Sequence, residues 1–325
     1  MSITEPARVP RRAASAALSV VAFLLVCAPA APAAEVAHER PEAQSKSDVL
    51  RYWTDRRMRR ADTRSRTVPA IPAQPSGGVA GAPGAIPGSD PDPSRQRIVR
   101  RDGALDRAYP VDSAAPQNWW HGKLFGKDRK GAYDCSATAV VSQNRSVIFT
   151  AGHCVRLDGL WAQKLVFVPA YQNGQQPFGS WVWDLIRIPG QWASRQNDNF
   201  DYAAVAMRPQ RGVRLTDAVG GAGLAWNQPR GVPFTLFGYP SNYFDGEQLT
   251  GCESPSFLGD DSGRGPATVG ATCDMSTGSS GGAWLVDGAY LNSVMSYGLR
   301  NRPELSFGPY FTGAADKLLG KSERD

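Results

Sequence analysis

The chain has 325 residues, with 36 Lys and Arg against 30 Asp and Glu and a formal net charge of +6. The charge is uneven: residues 1–101 hold 16 basic and 9 acidic side chains, whereas residues 102–325 hold 20 and 21. The basic excess belongs to the front of the chain, and the near-neutral remainder offers no polyanion-binding surface, which excludes nucleic acid as an expected partner.

Arg8, Arg11 and Arg12 precede an apolar run at 13–28 that is too short to span a bilayer, and Ala31-Pro32-Ala33 follows as a small-residue cleavage site. Residues 1–34 therefore read as a secretory signal peptide. The residues after Arg11-Arg12 do not complete a twin-arginine motif, and Val26 is bulkier than a lipid-modification site at Cys27 prefers. Residues 35–101 read as a basic prosegment. Within it, the stretch 49–60 carries Val49, Leu50, Tyr52, Trp53 and Met58 among five arginines. Two readings stand, a short amphipathic helix and a solvated charge run, and with no downstream partner visible the second is preferred. The stretch 68–93 is rich in Pro, Gly, Ala and Ser, buries too little apolar surface to offset its ordering entropy, and reads as flexible linker. Arg95, Arg97, Arg100 and Arg101 make a basic junction open to proteolysis.

From residue 102 the texture changes to short β-branched runs bounded by Gly, Pro, Asn or Asp. Strands are expected at 136–141 and 146–150, around the polar turn Ser142-Gln143-Asn144-Arg145, and at 164–168, 181–188, 202–207, 234–238, 267–272, 283–286 and 291–296. Only 314–319 has helical periodicity. Residues 102–325 are thus an all-β domain with a short C-terminal helix. Signal removal takes Cys27 away and leaves Cys135, Cys154, Cys252 and Cys273, an even set that implies disulfides in an exported protein. Of the three possible pairings, Cys135–Cys154 with Cys252–Cys273 closes the most local loops.

The chemistry-bearing motifs are Thr150-Ala151-Gly152-His153-Cys154, Asp201-Tyr202-Ala203-Ala204-Val205 and Gly278-Ser279-Ser280-Gly281-Gly282. A serine hydroxyl is a weak nucleophile until a base removes its proton, and the base needs a carboxylate to fix its tautomer. Of the three histidines, His38 lies in the prosegment and His121 has no motif around it, so His153 is the base. Asp198 is the competing carboxylate, but Asp201 opens the apolar run 202–207. These motifs, in the order His, Asp, Ser, resemble those of the chymotrypsin-like serine proteases, with the bacterial secreted branch near glutamyl endopeptidases and Streptomyces trypsin-like peptidases the best fit. The resemblance spans about 102–320. It implies two six-stranded antiparallel β-barrels with the active site between them. His153 and Asp201 would come from the first and Ser280 from the second. The oxyanion hole would be the N–H groups of Gly278 and Ser280, and Ser296-Tyr297-Gly298 would pair with substrate backbone. Ser279 stands where the animal digestive enzymes carry the aspartate that pairs with the new N-terminus, so that switch is absent in that form.

Specificity stays open. Asp274 lies six residues before Ser280, the spacing at which trypsin-like members place the acid that binds Arg or Lys, yet the shifted Cys273 also allows Asp274 to brace the loop. Glutamyl endopeptidases carry a histidine where this chain has Val294-Met295-Ser296. The expectation is a secreted, monomeric serine endopeptidase acting on proteins or peptides, made as a preproprotein, without cofactor, metal, nucleic acid or membrane partner. Two alternatives remain: an inactive binding protein on this fold, and an esterase-like hydrolase with the same triad.

Overall fold

The computed structural model describes residues 36–39, 44–64, 66–68, 81–89, 107–259 and 265–323, which all belong to one compact unit. The expected signal peptide and the basic junction at 95–101 lie outside the described residues. Ahead of the barrels come β1 (Val36–Glu39), α1 (Lys46–Tyr52), α2 (Asp55–Met58), β2 (Asp62–Thr63), β3 (Thr67–Val68), β4 (Gly84–Ile86) and β5 (Tyr109–Pro110).

The first barrel is built from β6 (His121–Lys127), β7 (Ala132–Val140), β8 (Val147–Thr150), β11 (Gln163–Pro169), β12 (Trp181–Pro189) and β13 (Ala203–Met207). Between β8 and β11 lie α3 (Gly152–Val155) and the small hairpin β9 (Arg156–Leu157) and β10 (Leu160–Trp161); α4 (Gly190–Arg195) precedes β13. The pairings run β6–β7–β8–β13–β12–β11 and return to β6, so the barrel closes and has no free edge between these strands. Strands β8 and β13 are buried at every position, as their unbroken apolar runs demand. The β7–β8 turn forms where the polar residues place it. Arg145 adopts a left-handed φ of 55°, and the Ser146 N–H donates to Ser142 Oγ (3.2 Å) and Asn144 Oδ1 (3.1 Å).

After α5 (Leu215–Val219), the second lobe is made of β14 (Gly223–Trp226), β15 (Pro233–Gly238), β16 (Thr250–Leu258), β17 (Val269–Thr272), β18 (Ala283–Val286), β19 (Tyr290–Val294), β20 (Tyr297–Leu299) and β21 (Arg302–Gly308). Its pairing order is β20-β21-β17-β16-β15-β18-β19-β14. It has a core of its own around Phe234, Leu236, Val269 and Trp284. The chain thus has the two-barrel fold, closed by the expected C-terminal helix α6 (Gly313–Ser322), whose Ala315, Leu318 and Leu319 are buried.

Two expectations for residues 35–101 need correction. The stretch 49–60 is not a solvated charge run. Ser45 and Thr54 cap α1 and α2, and Val49, Trp53 and Met58 are buried against the first barrel. Trp53 packs on Phe125 at 5.4 Å between ring centroids and donates its indole N–H to the Lys164 carbonyl. Residues 81–89 are likewise not free linker. Strand β4 pairs antiparallel with β14, and Ser89 bridges to Gly221. This pairing is backbone to backbone, so a sequence of small residues suffices for it.

Candidate active site

Strand β8 ends at Thr150 and leads through Ala151 into the single turn α3, which carries a wholly buried His153. Its Nδ1 lies 2.7 Å from Asp201 Oδ2, and its backbone N–H donates to Asp201 Oδ1 over 2.7 Å. The Ser296 hydroxyl donates to Asp201 Oδ2 over 2.6 Å. Burial pushes the Asp201 carboxyl up, but the neighbouring His153, Arg66 and Ser296 outweigh it and hold it below the usual carboxylate range. Asp198 instead pairs with Arg66, whose guanidinium also lies 3.8 Å from Asp201 Oδ2. The Asp198 carboxyl is pushed up by burial, against the pull of Arg66 and with the repulsion of Asp201. The carboxylate that orients His153 is therefore Asp201. His153 Nε2 is buried and has no hydrogen-bond partner among the described residues.

Ser280 sits on a turn pinned from several sides. Gly281 N–H donates to the Met295 carbonyl (2.7 Å), Gly282 N–H to Ser279 (2.8 Å), and the Ser136 N–H of β7 to the Ser280 carbonyl (2.7 Å). Gly278 and Gly281 adopt φ of 91° and 79°. A Cβ on Gly281 would fall 2.1 Å from Thr150 Oγ1, so the glycine allows the Ser280 turn to lie against the strand that leads to His153. Ser279 keeps its hydroxyl on the Ser276 carbonyl at 2.6 Å.

The cleft is occupied by the chain itself. Strand β2 pairs parallel with β7, placing Asp62 opposite Tyr133 and Thr63 opposite Asp134. Strand β3 pairs parallel with β20, placing Thr67 opposite Gly298. Between them, Arg64 N–H donates to the Asp134 carbonyl (2.9 Å), Gly278 N–H donates to the Arg64 carbonyl (3.2 Å), and Gly298 N–H donates to the Arg66 carbonyl (3.1 Å). Gly278 and Gly298 were both expected to meet substrate.

The remaining expected residues divide. Ser296 serves Asp201 with its side chain, while its N–H donates within the sheet to Phe307. Tyr297 is buried and stacks on Phe307 at 5.1 Å, so only its backbone is available to a peptide. Asp274 does not present a bare carboxylate. Its Oδ1 accepts from Ala108 N–H (2.9 Å) and its Oδ2 from the Tyr243 hydroxyl (2.5 Å), which favours the bracing role. The Tyr243 phenol is pushed up to about 12, first by that hydrogen bond. Both disulfides, Cys135–Cys154 and Cys252–Cys273, form as expected. Cys135, His153 and Cys154 lie close together, but sulfurs bonded to each other offer no thiolate to a metal.

His121, the histidine without a motif, packs at the meeting of the lobes. It stacks on Phe237 at 4.3 Å, accepts from Trp120 Nε1 at 2.9 Å and lies 3.0 Å from Thr138 Oγ1. Burial lowers it to about 3. Between about 6.5 and 3 the unfolded chain therefore binds a proton that the folded chain refuses, and His121 destabilises the fold by up to about 1.4 kcal/mol per pH unit on acidification. His121→Gln keeps both hydrogen bonds and should flatten this dependence, measured as urea-unfolding free energy from pH 7 to pH 4. Equal slopes for the two proteins would contradict it.

The sequence model of the trypsin family matches residues 110–312. Among solved structures, the thermostable serine protease AL20 from an extremophilic microorganism is 33% identical, with 64% of this chain and 98% of that one covered and a TM-score of 0.60. The protease Anisep from Arthrobacter nicotinovorans is 35% identical, with 66% and 97% covered and a TM-score of 0.60. A Glu endopeptidase, 17% identical over 70% of this chain and 100% of that one, shares the fold at a TM-score of 0.55. No curated protein sequence matches this chain.

Proposed function

This chain belongs to the trypsin family and is a serine endopeptidase, and from that premise we propose that it is secreted as a preproprotein and cleaves peptide bonds through a Ser280–His153–Asp201 acyl-enzyme mechanism. The observation that carries the mechanism is the buried pair of His153 Nδ1 and Asp201 Oδ2 at 2.7 Å. With Nδ1–H held by the carboxylate, Nε2 is the lone-pair nitrogen and takes the Ser280 proton as Oγ attacks the carbonyl carbon. The bond between carbonyl carbon and leaving nitrogen breaks when that nitrogen receives the proton back from Nε2, which leaves an acyl ester on Ser280. Water then repeats the sequence, with His153 removing its proton and returning it to Ser280. Gly278 and Ser280 N–H groups stabilise the oxyanion in both halves, each worth about 3 kcal/mol.

Two disulfides suit an oxidising compartment. None of the helices among the described residues is long and apolar enough to cross a membrane. The prosegment reading draws support from Val49, Trp53 and Met58, which pack into the first barrel as a docked element does. The test is digestion of casein beside a panel of short esters by the processed protein, with the products and the protein's own N-terminus sequenced. Casein should be cut, and the N-terminus should lie beyond Val68. Ester turnover with intact casein would overturn the endopeptidase reading.

A further inference from the structure

The prosegment does more than pack beside the barrel, because its residues 62–64 and 66–68 cross the cleft between His153 and the nucleophile turn. Arg64 is the best-held residue of this crossing. Its guanidinium is 9% exposed, lies 3.4 Å from the centroid of the Tyr133 ring, donates Nη1–H to the His153 carbonyl at 3.0 Å and forms an ion pair with Asp128 through Nη2. The cradle is itself anchored. The Tyr133 hydroxyl donates to the Cys154 carbonyl at 2.6 Å, and Asp128 Oδ1 accepts from the N–H groups of Lys130 and Gly131 at 2.7 and 3.1 Å. An aromatic face, a carboxylate and a carbonyl arranged around one planar cation match what a guanidinium requires.

The direction of the chain matters as much as the pocket. In a productive complex the scissile carbonyl oxygen points at Gly278 N–H and the leaving nitrogen faces His153, which must return a proton to it. His153 is tied to β7 through the Cys154–Cys135 bridge, so the leaving portion of a substrate lies along β7 and the acyl portion along β20. A substrate therefore runs from β20 towards β7. The prosegment runs the other way, with Asp62 and Thr63 on β7 and Thr67 and Val68 on β20. The Arg64 carbonyl occupies the oxyanion donor Gly278, yet the chain after it proceeds towards β20, away from the base. Arg66 adds a cation 3.8 Å from Asp201 Oδ2, which competes for the charge that would stabilise a His153 imidazolium.

We propose that Tyr133, Asp128 and the His153 carbonyl form an arginine-binding subsite on the leaving-group side of the cleft, and that Arg64 fills it with residues 62–64 and 66–68 running in reverse as an uncleaved inhibitor. The proposal rests on the endopeptidase reading for its meaning, and its test separates the two. A synthetic peptide of residues 59–70, fluorescently labelled, is titrated into processed enzyme by polarisation, while turnover of a separate peptide substrate is followed in parallel. The peptide should bind, inhibit competitively and be recovered intact. Arg64→Ala in the peptide should weaken binding at least tenfold with the wild-type enzyme. With Asp128→Asn enzyme, which keeps the Oδ1 acceptor of its turn, the same change should cost less than threefold. Three results overturn the proposal: a cleaved peptide, no binding, or an Asp128 coupling that belongs to Arg66 instead of Arg64, as a forward-running chain would give. Should Asp128→Asn fail to fold, the peptide series on wild-type enzyme decides alone. Binding without substrate turnover would keep the subsite and sink the endopeptidase reading.

Discussion

Asp201→Asn should lower kcat on peptide substrates by about 10⁴-fold with little change in fold, as measured by steady-state kinetics beside circular dichroism and melting. The asparagine can still accept the His153 backbone N–H with its carbonyl oxygen, so α3 stays in place. What changes is the partner of Nδ1. In the native site Asp201 Oδ2 accepts from Nδ1–H and from the Ser296 hydroxyl. An amide nitrogen there donates instead, forces the proton onto Nε2 and leaves His153 with no lone pair for Ser280. A loss of less than tenfold would show that Asp201 does not set the tautomer. Asp198→Asn is the internal control, since Asp198 pairs with Arg66 whereas the partner of His153 Nδ1 is Asp201.

The second large effect concerns stability. Lys123 is 1% exposed, with its Nζ 2.6 Å from Asp134 Oδ2 and 3.8 Å from Glu247. Asp134 is pushed up to about 6, by burial first and against the pull of Lys123. Lys123→Met removes the cation and leaves a buried carboxylate without its partner, which should cost about 3–5 kcal/mol at neutral pH. The sign with pH follows from the raised carboxyl. Between about 3.8 and 6 the folded state binds the proton more readily than the unfolded state, so acidification through that window favours the fold. In Lys123→Met that window extends upward, and the deficit against wild type should shrink from pH 7.5 to pH 5. Urea unfolding at the two pH values reads this directly. A deficit below about 1 kcal/mol, or one independent of pH, would contradict the account. Lys123→Met with Asp134→Asn should recover most of the loss.

The parts of the fold that were legible in the sequence are those whose side chains announce their burial. Strands β7, β8, β11, β12, β13, β15, β17, β18 and β19 came from β-branched and apolar runs bounded by turn residues. Strand β6 was missed because Gly122 and Gly126 break the pattern and Lys123 looks like a surface charge, although it is buried beside Asp134. Strand β16 was hidden by Gly251 and Pro255, and β21 by Arg302 and Pro303. Helices α1 and α2 are hidden for a related reason. Their apolar contacts, Val49, Trp53 and Met58, are three residues among a run of arginines, and what buries them lies in β6, β7, β11 and β12.

The site divides along the same line. The local backbone context of His153, Asp201 and Ser280 is written in their neighbours: the end of β8, the start of β13 and a glycine-rich turn. Relations between distant segments are not. Spacing to Ser280 cannot reveal that Ala108 and Tyr243 take both oxygens of Asp274. Nor can it reveal that Ser296 steadies Asp201, or that the carbonyl of Arg64, remote in sequence from Ser280, accepts from Gly278 N–H.

The most direct test of the central claim is labelling of the processed, folded protein with a fluorophosphonate, followed by mass-spectrometric mapping of the adduct. One adduct on Ser280, absent in Ser280→Ala and slowed at least a thousandfold in His153→Ala, is expected. A folded, processed protein that gives no adduct, or one carried on another serine, would contradict it.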